Sequence, residues 1–375
     1  VRIAVNTQHL LKGKLEGIGW FAHETLSRIT RAHPEHEFLF IFDRPWDSSF
    51  LYSDNIIPVH TKIPSRHPFL WYWHYEKDVP KLLSIYQPDL FFSPDGWMSL
   101  ATNVPTVDVV HDLNFMHRPG DFPFLYRKYY QHFFPQYIRK ARRIVTVSDF
   151  SKADIMHTFG VSPGKIDIAY NGCNPLFQPV STEVKEKVRE KFSGANPYFV
   201  YVGSQHPRKN ILGMLEAFER FKAGDKRNFR FLLVGEPMWS DRDIRQLLDR
   251  MKYRADVVFT GRLSTEALHM VMASAEALVL VSFLEGFGIP VLEAMHCDVP
   301  VICSGITSLP EIAGEAALRV NPKNTDEIAR AYTTLAEQAS VSLRLIEKGR
   351  QQRQKFNWDL TAQAVWCSLE KAMTE

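Results

Sequence analysis

The stretch ALVLVSFLEGFGIPVLEAM, residues Ala277 to Met295, decides the fold. Ala277–Ser282 is an apolar run of strand length, Glu285 stands at its carboxyl end, Gly286 and Gly288 make a turn, and Pro290 opens a helix. A strand that passes through glycines into a helix is one step of a βαβ unit, and the free amides of the helix start attract phosphate. Glu293, eight residues after Glu285, is expected in the first helical turn. One carboxylate could accept from ribose hydroxyls while the other faces a sugar; the alternative is that Glu293 complements the helix dipole and Glu285 is solvated.

The same rhythm runs in both directions from this stretch. Strands are expected at Arg2–Thr7, Glu37–Asp43, Ile56–His60, Asp89–Asp95, Thr106–Asp112, Arg143–Ser148 and Lys165–Tyr170, with helical segments between most of them. After the proline-punctuated linker Pro175–Pro179 it restarts with Tyr198–Ser204, Phe231–Gly235, Val257–Gly261, Ala277–Ser282 and Val299–Cys303. At 375 residues the chain exceeds what one core usually supports. The fold class is α/β, with two Rossmann-like, doubly wound parallel-sheet domains, residues 1–177 and 178–357, whose ligand edges face a shared cleft. Residues 358–375 form a helix crossing back to the first domain, with Trp358, Leu360, Val365, Trp366 and Leu369 covering an apolar surface.

Three further strand ends carry chemistry. In YVGSQHPRKN, Tyr201–Asn210, Gly203 turns the chain and a loop delivers Arg208 and Lys209, a guanidinium and an ammonium suited to a departing diphosphate. EGIGW, Glu16–Trp20, places Gly17 and Gly19 in the loop after the first strand, ahead of a helix expected from Trp20 to Thr30; the alternative is a turn that only reverses the chain. It lacks the GxGxxG fingerprint of dinucleotide-binding dehydrogenases. His111 ends the strand from Thr106 and could bond a donor-sugar hydroxyl, or serve a structural role. Asp241-Arg242-Asp243 spells the metal-binding DxD pattern but opens a helix, where capping accounts for it. No other metal-ligand spacing is present, so catalysis without a metal or other cofactor is expected, with Arg208 and Lys209 in the metal's electrostatic place.

Composition excludes other classes. The apolar fraction is 45% and the charged fraction 23%, as in folded soluble proteins, and a net charge of +3 is too small to argue for nucleic acid, so no nucleic-acid partner is expected. Four scattered cysteines predict a reducing, cytoplasmic setting. No signal-peptide pattern opens the sequence and no window approaches a membrane span. Between Arg118 and Arg143 basic residues interleave with aromatic ones, and a second aromatic cluster occupies Phe69, Trp71, Tyr72, Trp73 and Tyr75. Such a helix either lies on an anionic membrane surface or turns its aromatics into the core.

The ordered set EGIGW, VVHDL, TVSDFSK, YNG, VGSQHPRKN, TGR (Thr260–Arg262), FLEGFGIPVLEAM and VICSGITSLPEIAGEAAL resembles the family 4 retaining glycosyltransferases of the GT-B fold, in their bacterial mannosyltransferase-like branch. The resemblance implies that Glu285 lies near the donor sugar, Glu293 on the ribose, Arg208 and Lys209 on the diphosphate, Gly17 to Gly19 near the phosphates and His111 on the sugar. It extends donor binding to Gly203, Arg262 and the amides of Phe287 to Ile289. His206, Gly305 and Trp20 depart from the common pattern, where an acidic residue, asparagine and arginine are frequent; acceptor identity is the least transferable part. The implied reaction moves a hexose, preferably mannose from GDP-mannose and otherwise a UDP-linked hexose, to a saccharide or lipid-linked saccharide acceptor, with retention and no protein nucleophile. A nucleotide-sugar epimerase of the same fold and a non-catalytic nucleotide-sugar-binding scaffold are the alternatives, separated by whether donor turnover needs an acceptor.

Overall fold

Parallel strands need a crossover of a dozen or more residues, and the amphipathic segments between the short β-branched runs provide it. The computed structural model describes residues 1–65, 67–225, 227–238 and 242–375. They form two compact units, Val1–Gly172 together with Asn357–Glu375, and Cys173–Phe356.

The first unit is built on β1 (Arg2–Asn6), β2 (Glu37–Phe42), β3 (Ile56–His60), β4 (Leu90–Ser93), β5 (Thr106–Val110), β6 (Arg143–Thr146) and β7 (Ile166–Ile168). These pair in parallel in the order β3-β2-β1-β4-β5-β6-β7. The second unit holds β8 (Tyr198–Val202), β9 (Arg230–Val234), β10 (Val257–Gly261), β11 (Ala277–Leu280), β12 (Val301–Ser304) and β13 (Ala317–Val320), parallel in the order β10-β9-β8-β11-β12-β13. Helices cover both faces, so whole strands are buried: every residue of β4, β5, β8 and β11 is enclosed. Side chains such as Phe38, Phe91, Phe199 and Phe218, each 0–1% exposed, contribute about 2–3 kcal/mol apiece. In each sheet the chain order reverses once, between β1 and β4 and between β8 and β11, and the carboxyl ends flanking such a reversal form a crevice for ligands.

The C-terminal helix, Trp358–Thr374, starts on Asn357, whose side chain accepts from the Leu360 amide at 2.8 Å. Its buried stripe of Trp358, Thr361, Ala362, Val365, Trp366, Leu369 and Ala372 packs on the helix Gly17–Ala32 and on strands β4 to β7. Arg142 adds a bond to the Ala372 carbonyl at 2.9 Å, and Lys371 reaches Asp167 at 2.8 Å. Leu360, expected on this face, is 52% exposed, because it falls outside the helical stripe.

The unit boundary lies at Gly172/Cys173, five residues before the expected 177/178. The reason is packing. A Cβ on Gly172 would stand 2.5 Å from the Trp358 nitrogen, so Gly172 stays with the helix start, whereas Phe177 is buried against His269 of the second unit. Gly172→Ala is expected to destabilise the chain by about 1–3 kcal/mol in thermal unfolding, and an unchanged midpoint would contradict this account.

The helix expected from Trp20 starts earlier, at Gly17, with the Trp20 amide bonded to the Glu16 carbonyl at 2.7 Å. Gly17 and Gly19 are therefore helical and not part of a preceding loop. The basic aromatic stretch divides. Tyr129, Phe134 and Tyr137 of the helix Phe124–Lys140 enter the core, but Phe124 and Leu125 are exposed, as are Phe69, Tyr72 and Trp73 on the helix Pro68–Trp73 packed alongside. Among the described residues no helix is long and apolar enough to cross a membrane.

Candidate active site

The loops at the reversal of the second sheet bring the strongest charges together. After β8, Gly203 adopts φ +147°, where an added Cβ would meet the Tyr201 hydroxyl at 2.9 Å. The chain then forms a 3-10 turn over Pro207–Lys209, capped by His206, whose Nδ1 accepts from the Arg208 amide at 3.3 Å. Asn210 pins the end of this loop, donating to the carbonyls of Val281 at 3.0 Å and Pro322 at 2.8 Å. After β11 the Phe283 amide donates to the Arg208 carbonyl at 2.8 Å, which ties the two loops to each other.

This framework aims Arg208 and Lys209 at Glu285. Arg208 Nη1 donates to Glu285 Oε2 at 2.9 Å and to the Leu284 carbonyl at 2.7 Å; Lys209 Nζ donates to Glu285 Oε1 at 2.6 Å. Ser282 Oγ adds a bond to Oε1 at 2.7 Å. Glu285 is 4% exposed, so the alternative of a solvated carboxylate is ruled out. Burial acts to raise its pKa, but the charges of Lys209 and Arg208 prevail and bring it down to about 2. The result is a rigid cluster in which a carboxylate orients two cations.

The expected donor loop adjoins it. Gly288 takes φ +100° directly before the helix Ile289–His296, and a Cβ there would lie 2.5 Å from Leu309 Cδ2. Phe287 is 4% exposed, and Ser308 Oγ bonds the carbonyls of Glu285 at 2.9 Å and Phe287 at 3.1 Å, fixing the turn. Glu293 lies in the second helical turn, because the helix begins at Ile289, and not in the first as expected. This distance from the helix start removes the dipole account of its presence. Burial raises its pKa to about 8. The folded state therefore prefers the protonated form: that stabilisation is complete below the ordinary value of 4.5 and is lost as the pH rises toward 8. Glu293→Gln should gain on the wild type by roughly 5 °C in melting temperature between pH 4.5 and 8.5, and parallel melting profiles would contradict the assignment. Arg262 follows β10 and is exposed.

His111, Gly17 and Gly19 belong to the first unit. His111 Nε2 donates to the Pro94 carbonyl at 2.8 Å, which places the proton on Nε2 and leaves Nδ1 as an acceptor. Burial lowers its pKa to about 4, so the ring is neutral near pH 7, and it packs edge-on against Phe21 at 5.0 Å. A Cβ on Gly19 would lie 2.8 Å from the His9 carbonyl, a close approach of helix start and loop.

Sequence reasoning missed a buried polar cluster at the reversal of the first sheet, formed by Asn6, Tyr75, Ser93 and Asp95, with the partly exposed His9 3.7 Å from Asp95. The signal was the strand-end carboxylate in SPDG, residues 93–96. For a metal, one group among the described residues has its ligand atoms within 4.8 Å of one another, His33, Glu35 and His36, in the turn before β2 at the opposite end of the sheet from the strand carboxyl ends. Of the DxD pattern, Asp241 lies outside the described residues, while Arg242 and Asp243 begin a helix.

Two parallel-sheet Rossmann-like units are the architecture of the GT-B class. Residues 154–352 match the family described as glycosyl transferases group 1, and residues 16–175 match glycosyltransferase family 4. The chain belongs to the glycosyl transferases group 1 family and is a retaining glycosyltransferase. It is 32% identical over 254 residues to O-antigen chain mannosyltransferase B of Escherichia coli, covering 68% of this chain and 67% of that one. It is 27% identical over 269 residues to O-antigen chain mannosyltransferase RfbU of Salmonella typhimurium, covering 72% and 71%. In fold it is similar to HepE of Anabaena, solved with UDP and glucose, at a TM-score of 0.76 and 17% identity over 98% of this chain and 99% of that one. WaaG, a glycosyltransferase involved in lipopolysaccharide biosynthesis, gives a TM-score of 0.76 at 17% identity, covering 96% and 98%.

Proposed function

We propose that this chain transfers mannose from GDP-mannose to a saccharide or lipid-linked saccharide in the assembly of a bacterial surface polysaccharide. The observation that carries the reading is the Glu285-held pair of Arg208 and Lys209 at the reversal of the second sheet. The mannosyl relatives favour mannose over the UDP-linked hexose, which is the second reading because HepE was solved with UDP and glucose.

In this reading Arg208 and Lys209 take up charge as the bond from the sugar C1 to the diphosphate oxygen breaks and its electron pair passes to the phosphate. The acceptor oxygen bonds C1 on the same face, and its proton goes to the departing phosphate. Glu285 orients the two cations beside the sugar and Glu293 meets the ribose, while Gly203, Arg262 and the amides of Phe287 to Ile289 complete donor binding in the second unit. Arg208 and Lys209 stand in for a metal, so activity is expected to survive EDTA, and restoration by Mg²⁺ after its loss would overturn that part.

The test is incubation with GDP-mannose and with UDP-hexoses, with and without methyl α-mannoside. GDP release together with a glycosylated product supports the reading. Donor isomerisation without acceptor supports an epimerase, and binding without turnover supports a scaffold.

Action at the cytoplasmic face of a membrane is part of the proposal. Phe69, Trp73 and Phe124 are 65%, 52% and 61% exposed, and Arg127 and Lys128 lie within 5.7 Å of the Phe124 ring, which joins apolar surface to positive charge. Sedimentation with phosphatidylglycerol vesicles is expected to fall at high salt and with Trp73→Ser plus Phe124→Ser. Equal sedimentation with neutral vesicles would contradict it.

A further inference from the structure

The turn that leads from the helix Gly17–Ala32 into β2 reads His33-Pro34-Glu35-His36. Hydrogen bonds hold it closed. The His36 amide donates to the His33 carbonyl at 3.2 Å, and Asn55 Nδ2 reaches the carbonyls of Thr30, His33 and His36 at 3.1, 3.0 and 2.9 Å. The closed turn aims two imidazoles at one oxygen: His33 Nδ1 stands 3.3 Å and His36 Nε2 3.4 Å from Glu35 Oε1. Trp366 of the C-terminal helix backs both rings, stacked on His33 with centroids 3.6 Å apart and tilted against His36 at 5.2 Å. The turn lies at the opposite end of the sheet from the strand carboxyl ends, so the transfer reaction does not use it.

The spacing suits an ion better than a pair of hydrogen bonds. An N–H···O bond is ordinarily about 2.7–3.2 Å long, so both contacts are stretched. Tetrahedral ligands about 2.0–2.1 Å from Zn²⁺ stand about 3.3–3.4 Å apart, which is the separation of each imidazole nitrogen from the carboxylate oxygen. Two imidazoles and a carboxylate are donors for Zn²⁺, Co²⁺ or Ni²⁺, whereas Mg²⁺ and Ca²⁺ require oxygen ligands. His36 offers Nε2, because its Nδ1 is enclosed. An ion enters past Glu35, whose side chain is 60% exposed, while those of His33 and His36 are 24% and 17% exposed. The field favours a cation, since the turn sits at the carboxyl end of the helix Gly17–Ala32, the negative pole of its dipole. The carboxylates of Glu35 and Glu370 act on His36, opposed by His33 and the amino group of Val1. No usual zinc spacing marks this site in the sequence; the closed turn makes it.

We infer that His33, Glu35 and His36 form a binding site for a divalent transition metal, Zn²⁺ before others, with His33 Nδ1, a Glu35 carboxylate oxygen and His36 Nε2 as three ligands and water as the fourth. The bound ion fixes the two rings that Trp366 packs against, and so fastens the C-terminal helix to the start of the first sheet. It stabilises the first unit and takes no part in turnover, so the site stands whether or not the donor is GDP-mannose.

Calorimetric titration of the full chain, free of any histidine tag and stripped by a chelator, with Zn²⁺ tests this. One ion per chain is expected, undisturbed by excess Mg²⁺, and Co²⁺ in its place should give the strong visible absorption of a tetrahedral centre. Glu35→Gln, at an exposed position, and His36→Gln are each expected to weaken zinc binding about a hundredfold or more, since even a partner of a ligand is worth about 10–100-fold. Zn²⁺ at about 100 times its Kd should raise the melting temperature of the wild type by roughly 5 °C and leave both variants unmoved, because an ion that binds only the folded chain stabilises it by mass action. Turnover measured well below the melting temperature should be equal with and without the ion. No zinc binding by the wild type, or binding and a melting shift of wild-type size in both variants, would overturn the proposal. Turnover that requires zinc would overturn the placement of the ion outside the reaction.

Discussion

Replacing Arg208 and Lys209 together by alanine is expected to lower turnover by a factor of roughly a thousand or more, since removing one preorganised group that stabilises developing charge commonly costs a hundredfold or more. The loss should appear in kcat, because both cations act on charge that grows as the bond to the diphosphate breaks. A second consequence follows from burial. Glu285 is 4% exposed, and without the two cations its charge is left in an enclosed site, at a cost of about 3 kcal/mol. The variant should therefore regain stability at acid pH, where Glu285 takes up a proton. Near-wild-type kcat would contradict the leaving-group role, and a pH-independent loss of stability would contradict the ion cluster.

Glu285→Gln is expected to have the next largest effect, about a hundredfold in kcat, by releasing the two side chains it orients. The sign of its pH dependence is fixed by the depressed pKa of about 2. The stabilisation that the charged carboxylate provides is present above its ordinary value of 4.5 and is lost as the pH falls through 2. The gap in melting temperature between wild type and variant should be full at pH 6 and shrink toward pH 2.5. A gap that widens on acidification would show that Glu285 is not held as an anion.

Much of this site was legible in the sequence because its parts are local. Glycine, cation and carboxylate each follow a β-branched run within a few residues, and strands β3 and β10 begin and end where the residue pattern puts them. The edge strand β13, Ala317–Val320, was missed because four residues with two partly exposed side chains give no apolar run. Leu360 was misplaced because apolar character alone does not set the phase of a helix. Glu293 was placed in the first turn because Pro290 was read as the first helical residue; the helix begins one residue earlier, at Ile289, which moves Glu293 just past that turn. Of the cluster around Asp95 only the strand-end carboxylate showed in the sequence: Asn6 and Tyr75 reach it from 89 and 20 residues away along the chain, and only the order β1-β4 in the sheet brings them together.

The account depends on the cations of the second unit receiving a diphosphate, and a crystal structure with GDP tests that most directly. The prediction is β-phosphate oxygens within hydrogen-bond reach of Arg208 and Lys209, with the ribose hydroxyls on Glu293. GDP bound with its phosphates away from both cations, or with its ribose remote from Glu293, would contradict it.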